Sequence, residues 1–410
     1  MSAALRYEDL HVHRWMLRDR ARVRAFDEAI QRCVKPGDVV LDVGAGSGIL
    51  SLMAARAGAA RVYAVERTPV AGMARRLAQR NGYADVVKVA QGDIQHLSLP
   101  EPVDVIVSEW LGTIGVDENL LFPVLQARDR WLKPGGMMLP ARVTAQLAPA
   151  WLATACEVKY LHEPLLGFDL AALGETSVHD LLCRRYQVRA DGLAAPARAM
   201  WTTDTTTAAL SESLAPHRCE LTFEMAEPTR VNALVAWFDA ELAPGVGLSN
   251  APDAPETHWG QLTLPLDRAI DLAVGAKLQV RVACQPRIPG LSDLAWSLRV
   301  DDGPWQHHNT LGAGESSVLV WPDSATPSES GDPAMQPTTP SHVQLPSPKD
   351  AAPLTCFLAR LSVDPDMLFR LIRDPQAVFQ ESGLAEDDIA ALRSRQAAPI
   401  EQAMMKGAAP

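Results

Sequence analysis

Two glutamates nine positions apart, Glu109 and Glu118, follow a β-branched run, Val105-Ile106-Val107, that stops at Ser108. Such a run reads as a buried parallel strand. The segment Ser108-Glu109-Trp110-Leu111-Gly112-Thr113-Ile114-Gly115-Val116-Asp117-Glu118 would then carry both acids on a glycine-bearing loop at the mouth of a sheet. Two carboxylates converging there can grip one planar cation by accepting parallel N–H bonds from it. Spacing alone also suits a pair of solvated acids, so the surrounding elements have to decide between the two.

Those elements begin with Asp38 to Val43, expected as a first strand. Gly44-Ala45-Gly46-Ser47-Gly48 follows as a turn, Ile49 to Ala57 as a helix closed by Gly58, and Arg61 to Val65 as a second strand ending on Glu66. Glycines in such a turn let the backbone approach a ligand while the helix N-terminus points at it. An acid ending the second strand stands where a ribose diol is bound. Val86 to Ala90 and Val103 to Ser108 are two more strands, with Gly92-Asp93-Ile94-Gln95 looping between them. A helix ending at Ala127 to Leu132 leads into a turn, Lys133-Pro134-Gly135-Gly136, before Met137 to Pro140. Upstream, Tyr7 to Ile30 reads as helical, with an apolar stripe through Met16, Leu17, Val23, Phe26 and Ile30.

From about Arg142 the pattern changes to a period of two. Leu221/Phe223/Met225, Val231/Ala233/Val235, Leu262/Leu264/Leu266, Leu278/Val280/Val282 and Leu294/Trp296/Leu298/Val300 predict antiparallel strands in a barrel or sandwich. Pro164 to Gly192 interrupts them as a helix-rich insertion. Pro322 to Pro353 is rich in Pro, Ser and Thr and reads as a disordered linker, reaching on the order of 30 Å as a random coil. Beyond it, residues 354–400 predict three short helices, a small core punctuated by Asp374-Pro375 and Gly383.

Composition narrows the class. The 410 residues suffice for two or three domains. No apolar run is long enough to span a bilayer, and the N-terminus lacks a signal-peptide pattern. Cys33, Cys156, Cys183, Cys219, Cys284 and Cys356 form no C-x-x-C pair, so they read as reduced thiols of a cytoplasmic protein without a metal site. A net charge of −11 argues against nucleic acid as the main partner and is compatible with a cationic substrate.

Over roughly Tyr7 to Val300 the chain resembles the protein arginine N-methyltransferases, a family of class I S-adenosylmethionine (AdoMet) methyltransferases. The matching pieces are His13-x-x-Met16-Leu17-x-Asp19-x-x-Arg22 and Leu41-Asp42-Val43-Gly44-x-Gly46-x-Gly48-Ile49-Leu50-Ser51, with Glu66 after the second strand. Ser108-Glu109-Trp110-Leu111-Gly112 with Glu118 and, about 140 residues on, Thr257-His258-Trp259 complete the set. The resemblance implies an α/β fold: a Rossmann-like AdoMet-binding domain (35–140) under an N-terminal helical lid (1–34). An antiparallel β-barrel domain (141–310) follows, with a helical dimerisation arm at about 164–192 and a homodimer formed through it. After the linker (322–353) comes the small α-helical C-terminal region (354–400).

The same resemblance implies AdoMet as cofactor and an arginine-containing protein or peptide as substrate. Glu109 and Glu118 would hold the guanidinium, with His258 and Asp19 paired beside them as catalytic residues. Arg22, Asp42, Gly44, Gly46, Gly48, Glu66, Ile94, Gln95 and Glu109 would bind the cofactor. Tyr7 and Met16 would line the substrate pocket, with Trp259 as its wall or the core behind it. The chain departs from the family at Ala3, Gln95, Thr113 and Leu120, where a tyrosine, an acid, a tyrosine and a methionine are usual. These departures leave the product type open, with Met16 leaning toward the asymmetric dimethyl form. Two other readings share part of the pattern: methylation of a small-molecule amine or guanidine, and an AdoMet-binding scaffold that docks partners through its C-terminal region. Both glutamates together with Thr257-His258-Trp259 favour catalysis over the scaffold.

Overall fold

A computed structural model of the chain describes residues 9–153, 167–168, 187–286, 292–309, 354, 357 and 375–394. The chain divides into two compact units, Met1–Trp321 and Pro322–Pro410.

The first unit opens with two helices where the sequence predicts one. Helix α1 spans Leu10–Arg18 and α2 spans Arg20–Cys33. The break is Asp19, whose carboxylate accepts the Arg22 N–H at 2.9 Å and so caps α2. An Asp side chain competes with the backbone for such donors, which makes it a better cap than helix interior. Phe26, Ala29 and Ile30 of α2 are fully buried, so the predicted stripe does face a core.

Five parallel strands then form one sheet: β1 (Val39–Val43), β2 (Arg61–Glu66), β3 (Val87–Gln91), β4 (Val103–Val107) and β5 (Leu132–Leu139), in the order β3-β2-β1-β4-β5. Helices α3 (Ile49–Ala57), α4 (Ala71–Arg80) and α5 (Leu121–Trp131) alternate with them. Strand order reverses direction between β1 and β4, and in doubly wound sheets the crevice at that switch point takes the ligand. All five residues of β1 are buried, as expected of a central parallel strand.

The turn predicted at Lys133-Pro134-Gly135-Gly136 is instead an interruption within β5. Val103 pairs with Leu132 and Val105 with Met137, so the intervening residues loop out and the strand resumes. Gly136 permits this, because a Cβ there would lie 2.6 Å from the Leu132 side chain and 2.9 Å from the Asp104 carbonyl.

The remaining strands of this unit form two antiparallel sheets, meeting the expectation of a barrel or sandwich. One runs β10 (Val246–Ser249), β9 (Thr229–Ala243), β6 (Arg142–Ala150), β7 (Arg198–Asp204), with β11 (Leu262–Leu272) also on β9. The other runs β14 (Gln306–Asn309), β13 (Asp293–Val300), β12 (Lys277–Gln285), β8 (His217–Glu224). Strand β9 departs from simple alternation: its residues Val231 to Phe238 are all buried, because it pairs with three strands and is covered on both faces. One hydrophobic core runs from Phe26 and Ile30 through Ile106 and Leu125 to Phe238, Trp259 and Trp296, so the parallel and antiparallel layers are packed together.

In the second unit, α6 (Pro375–Ser382) ends at Gly383 with φ 68°, and α7 (Glu386–Ser394) follows. Phe357 lies 6.1 Å from Phe379, ring to ring. Tyr7, the linker at 322–353 and all of the arm but Gly167, Phe168 and residues 187–192 lie outside the described residues.

Candidate active site

A cavity of about 1080 Å³, its open mouth included, lies at the C-terminal ends of β1, β2 and β4. The glycine turn forms its floor. Gly44, Gly46 and Gly48 have φ of 73°, 52° and 80°, a left-handed conformation that side chains resist. A Cβ on Gly46 would also come within 2.8 Å of the His13 ring, so α1 can close over the turn only because that position is bare.

Glu66, at the end of β2, is buried and lines the cavity. Its oxygens accept the Gly46 N–H at 2.9 Å and the Thr68 N–H at 2.7 Å. A carboxylate has roughly four acceptor positions, so about half remain for a diol. Ile94 and Gln95 line the same cavity, and so does Asp93, whose carboxylate accepts the Gln95 N–H at 2.9 Å. The acid that Gln95 lacks is therefore present two residues earlier. Asp42 stands differently. It does not line the cavity; it is buried beneath the turn, its carboxylate accepting the Ser51 hydroxyl at 2.6 Å. Burial pushes the Asp42 carboxyl up to about 7.

Glu109 enters from the other side. Its strand ends at Val107, and Ser108 fixes the exit by donating its hydroxyl to the Val43 carbonyl at 2.7 Å. One Glu109 oxygen accepts the Leu111 N–H at 3.0 Å. The other takes Arg22 Nε at 3.0 Å and Nη2 at 2.9 Å, with both side chains buried. Arg22 Nη1 donates to the Met16 carbonyl at 3.3 Å. Of the five guanidinium donors two are left, enough for a ligand carboxylate. Arg22, Glu109, Met16 and Leu17 all line the cavity.

The loop after Glu109 is held from the antiparallel layer. Gly112 and Gly115 bridge to each other, and both Asp117 oxygens accept N–H groups within that turn, from Thr113 at 3.2 Å and Ile114 at 2.9 Å. Asn250 donates to the Thr113 carbonyl at 2.9 Å, and the Trp259 indole donates to the Leu111 carbonyl at 2.9 Å. Trp259 is buried at 1% exposure and does not line the cavity, so of its two expected places it takes the core. Glu118 is half-buried and is not one of the lining residues. The reason is local: Ser292 donates its N–H to the Asp117 carbonyl at 2.9 Å and its hydroxyl to Asn119 at 2.8 Å, drawing residues 117–119 toward the start of β13.

His258 and Asp19 do meet. One Asp19 oxygen accepts both the His258 N–H, at 2.8 Å, and its Nδ1, at 2.7 Å. Burial raises the Asp19 carboxyl, but the His258 ring and the N–H groups of Arg22 and His258 outweigh it and hold it below its ordinary value. A single carboxylate thus ties both N-terminal helices to the antiparallel layer. Ser47, Arg67, Asp93, Ser108 and Trp110 also line the cavity, beyond the residues the sequence motifs point to; each adjoins a motif residue in the chain, and that adjacency is their only signal in the sequence.

The donor set suits a molecule that joins a nucleoside to a charged amino-acid end: a carboxylate for a diol, a part-used guanidinium for a carboxylate, and Ile94, Leu50, Val65 and Val124 as apolar wall. Among the described residues no cluster of side chains could hold a metal ion, and no helix is long and apolar enough to cross a membrane.

Comparison with known proteins agrees with this geometry. Residues 27–138 match the family described as ribosomal protein L11 methyltransferase, and 155–301 match the arginine methyltransferase oligomerization subdomain. Protein arginine N-methyltransferase 1.1 of Arabidopsis thaliana is 33% identical over 287 residues, covering 68% of this chain and 73% of that protein. Protein arginine N-methyltransferase PRMT10 of Oryza sativa subsp. japonica is 34% identical over 307 residues, covering 67% and 80%. The solved structure of the Trypanosoma brucei PRMT1 enzyme-prozyme heterotetrameric complex with AdoHcy superposes with a TM-score of 0.68 at 29% identity, over 74% of this chain and 99% of that one. With a parallel sheet whose switch-point cavity holds Glu109 against Arg22, and an antiparallel layer that locks the Glu109 loop through Trp259, the chain belongs to the protein arginine N-methyltransferase family.

Proposed function

We propose that this chain transfers a methyl group from AdoMet to a guanidino nitrogen of arginine in a protein or peptide. The observation that carries the reading is Glu109, buried in the same cavity as the glycine turn and Glu66 and bonded to a guanidinium, that of Arg22. AdoHcy, present in the related Trypanosoma structure, is what AdoMet becomes on losing its methyl group. When bound, AdoMet supplies an electrophilic methyl on a sulfonium.

Glu66 would hold the ribose, Arg22 the carboxylate end, and the Gly44 to Gly48 backbone the space between them. Guanidinium is a poor nucleophile because it stays protonated at neutral pH, and it must lose a proton as the N–C bond forms. Glu109 fixes its plane and draws positive charge away from the attacking nitrogen. Glu118 acts as the second carboxylate, reaching the guanidinium once substrate fills the space beside Met16. The Asp19–His258 pair keeps α1 and α2 over the site and can relay the released proton. Much of the acceleration comes from alignment of nitrogen, methyl and sulfur.

The same reading takes the chain as a homodimer formed through residues 164–192, supported by the oligomerization-subdomain match, and as a cytoplasmic protein, supported by the free thiols of Cys33, Cys219 and Cys284. It also keeps the boundaries at 34, 140, 310 and 353. Sedimentation of the full chain checks the dimer.

The deciding experiment incubates the full chain with methyl-labelled AdoMet and an arginine-rich peptide. Acid-stable labelled methylarginine is expected. Label appearing only in a small amine, or AdoMet bound without turnover, would replace this reading.

A further inference from the structure

The connections after β1, β2 and β4 run through helices, whereas the one after β3, residues 92–102, holds none. A helix pairs its own carbonyls, and an irregular connection has to find partners elsewhere. Residues 92–97 meet part of that need as a single tight turn. The Gly92 N–H donates to the Glu66 carbonyl at 3.0 Å, and the His96 and Leu97 N–H groups donate to the Asp93 carbonyl at 2.9 and 3.2 Å. The carbonyls of Gln95 and Leu97 are left over, and one distant side chain, Arg130, takes both.

Arg130 lies in the last turn of α5, where a positive charge suits the helix dipole. Its Nη1 donates to the Gln95 carbonyl at 2.9 Å and its Nη2 to the Leu97 carbonyl at 3.0 Å. The guanidinium lies over the neighbouring Trp131 ring, 4.1 Å from its centroid, and Trp131 is buried, so the fork has a fixed seat. Among the described residues no other group bonds to either carbonyl. Arg130 is itself exposed and does not line the cavity. The loop it grips does: Gly92, Asp93, Ile94 and Gln95 line the cavity together with Glu66. Leu120, Pro123 and Val124, at the other end of α5, line it as well, so one side chain couples two parts of the wall.

With the ribose of AdoMet on Glu66, the base lies along this loop, and Ile94, buried at 5% exposure, is its apolar support. We propose that Arg130 is a positioning residue for cofactor binding: by holding the Gln95 and Leu97 carbonyls it keeps the 92–97 loop shaped to the adenine ring. This deepens the methyl-transfer reading and rests on it for the identity of the ligand alone. A connection without a ladder of its own opens at low cost, and ordering it on binding subtracts from affinity. Arg130 orders it beforehand. It makes no bond to Arg22 or Glu109, so its loss acts on AdoMet affinity and spares the chemical step.

The test uses the full chain and two variants. Arg130→Met keeps an apolar stem against Trp131 and deletes the donors, while Arg130→Lys keeps the charge but cannot fork to two carbonyls. Titration calorimetry gives Kd for AdoHcy and for methylthioadenosine, which has the base and ribose but no amino-acid end. Both Kd values should rise about tenfold in Arg130→Met, the scale of losing charge-assisted bonds, and about threefold in Arg130→Lys. The AdoMet KM should follow, while kcat at saturating AdoMet and the KM for an arginine peptide stay within about twofold. Thermal unfolding of each variant is recorded alongside. Unchanged Kd values in both variants overturn the proposal, whatever happens to the melting temperature. So does a loss for AdoHcy that methylthioadenosine does not share, because the loop faces only the part the two ligands have in common. AdoHcy affinity that follows the variants while no peptide is methylated would overturn the catalytic reading and leave the role of Arg130 standing.

Discussion

Glu109 has one oxygen on a backbone N–H and the other on Arg22, both in a buried setting, so neither atom is spare packing. Replacing it with Gln keeps the shape and removes the charge that faces the guanidinium. Turnover in Glu109→Gln should fall by about 10²–10³-fold, the scale of losing one charge-stabilising group. Single-turnover label transfer measures it, and an undiminished rate would remove Glu109 from catalysis. Asp42 has a different consequence. Its carboxyl, ordinarily near 3.8, sits at about 7 when folded, so between those values the native state holds a proton that the unfolded chain has lost. Its contribution to stability is full below about 3.8 and is lost as pH rises through about 7. Asp42→Asn should flatten that part of the stability–pH curve, as read from denaturant midpoints at pH 5 and about 8. A curve of unchanged slope would contradict the buried placement.

At the scale of elements, Asp19 closes α1, caps α2 and anchors both to His258. Asp19→Ala should cost about 2–3 kcal/mol, a lost cap of about 1 plus a buried partner left unsatisfied. Asn caps nearly as well as Asp, so Asp19→Asn should cost less while still weakening the tie to His258. Denaturant unfolding gives the first comparison and hydrogen exchange across α1 the second. Were the two variants equal, the cap would contribute nothing and the charged tie to His258 would account for the whole effect. Trp259 works at the same scale: Trp259→Phe keeps most of the ring and deletes the donor to Leu111, which should cost about 1–2 kcal/mol and loosen the Glu109 loop.

For the whole molecule, the division at Trp321 predicts that a chain ending there keeps the thermal transition of the first unit, and scanning calorimetry reads this directly. If the C-terminal region recruits substrate, the same truncation raises KM for the native substrate and spares small-peptide turnover; an unchanged KM removes that role. The strand order β3-β2-β1-β4-β5 puts the two ends of the site, Glu66 and Glu109, on opposite sides of β1 although they are far apart in the chain. The antiparallel layer contributes the lock on the Glu109 loop, so destabilising that layer should lower turnover before it unfolds the sheet.

Periodicity and glycine spacing in the sequence determined the parallel strands, the ligand turn and the antiparallel texture, because each is a short-range consequence of residue type. They also placed Glu66 and Glu109 at strand ends. What they left open depended on partners distant in the chain. The break at Asp19 needs to be seen beside His258, since a helix-internal Asp and a cap look alike until a second element offers donors. Asp42 sank under the turn because Ser51, a turn into α3, reached its carboxylate first. Glu118 left the cavity wall because Ser292 drew its neighbours toward β13. Only tertiary packing decides such cases, because a side chain's role follows from which distant group satisfies it.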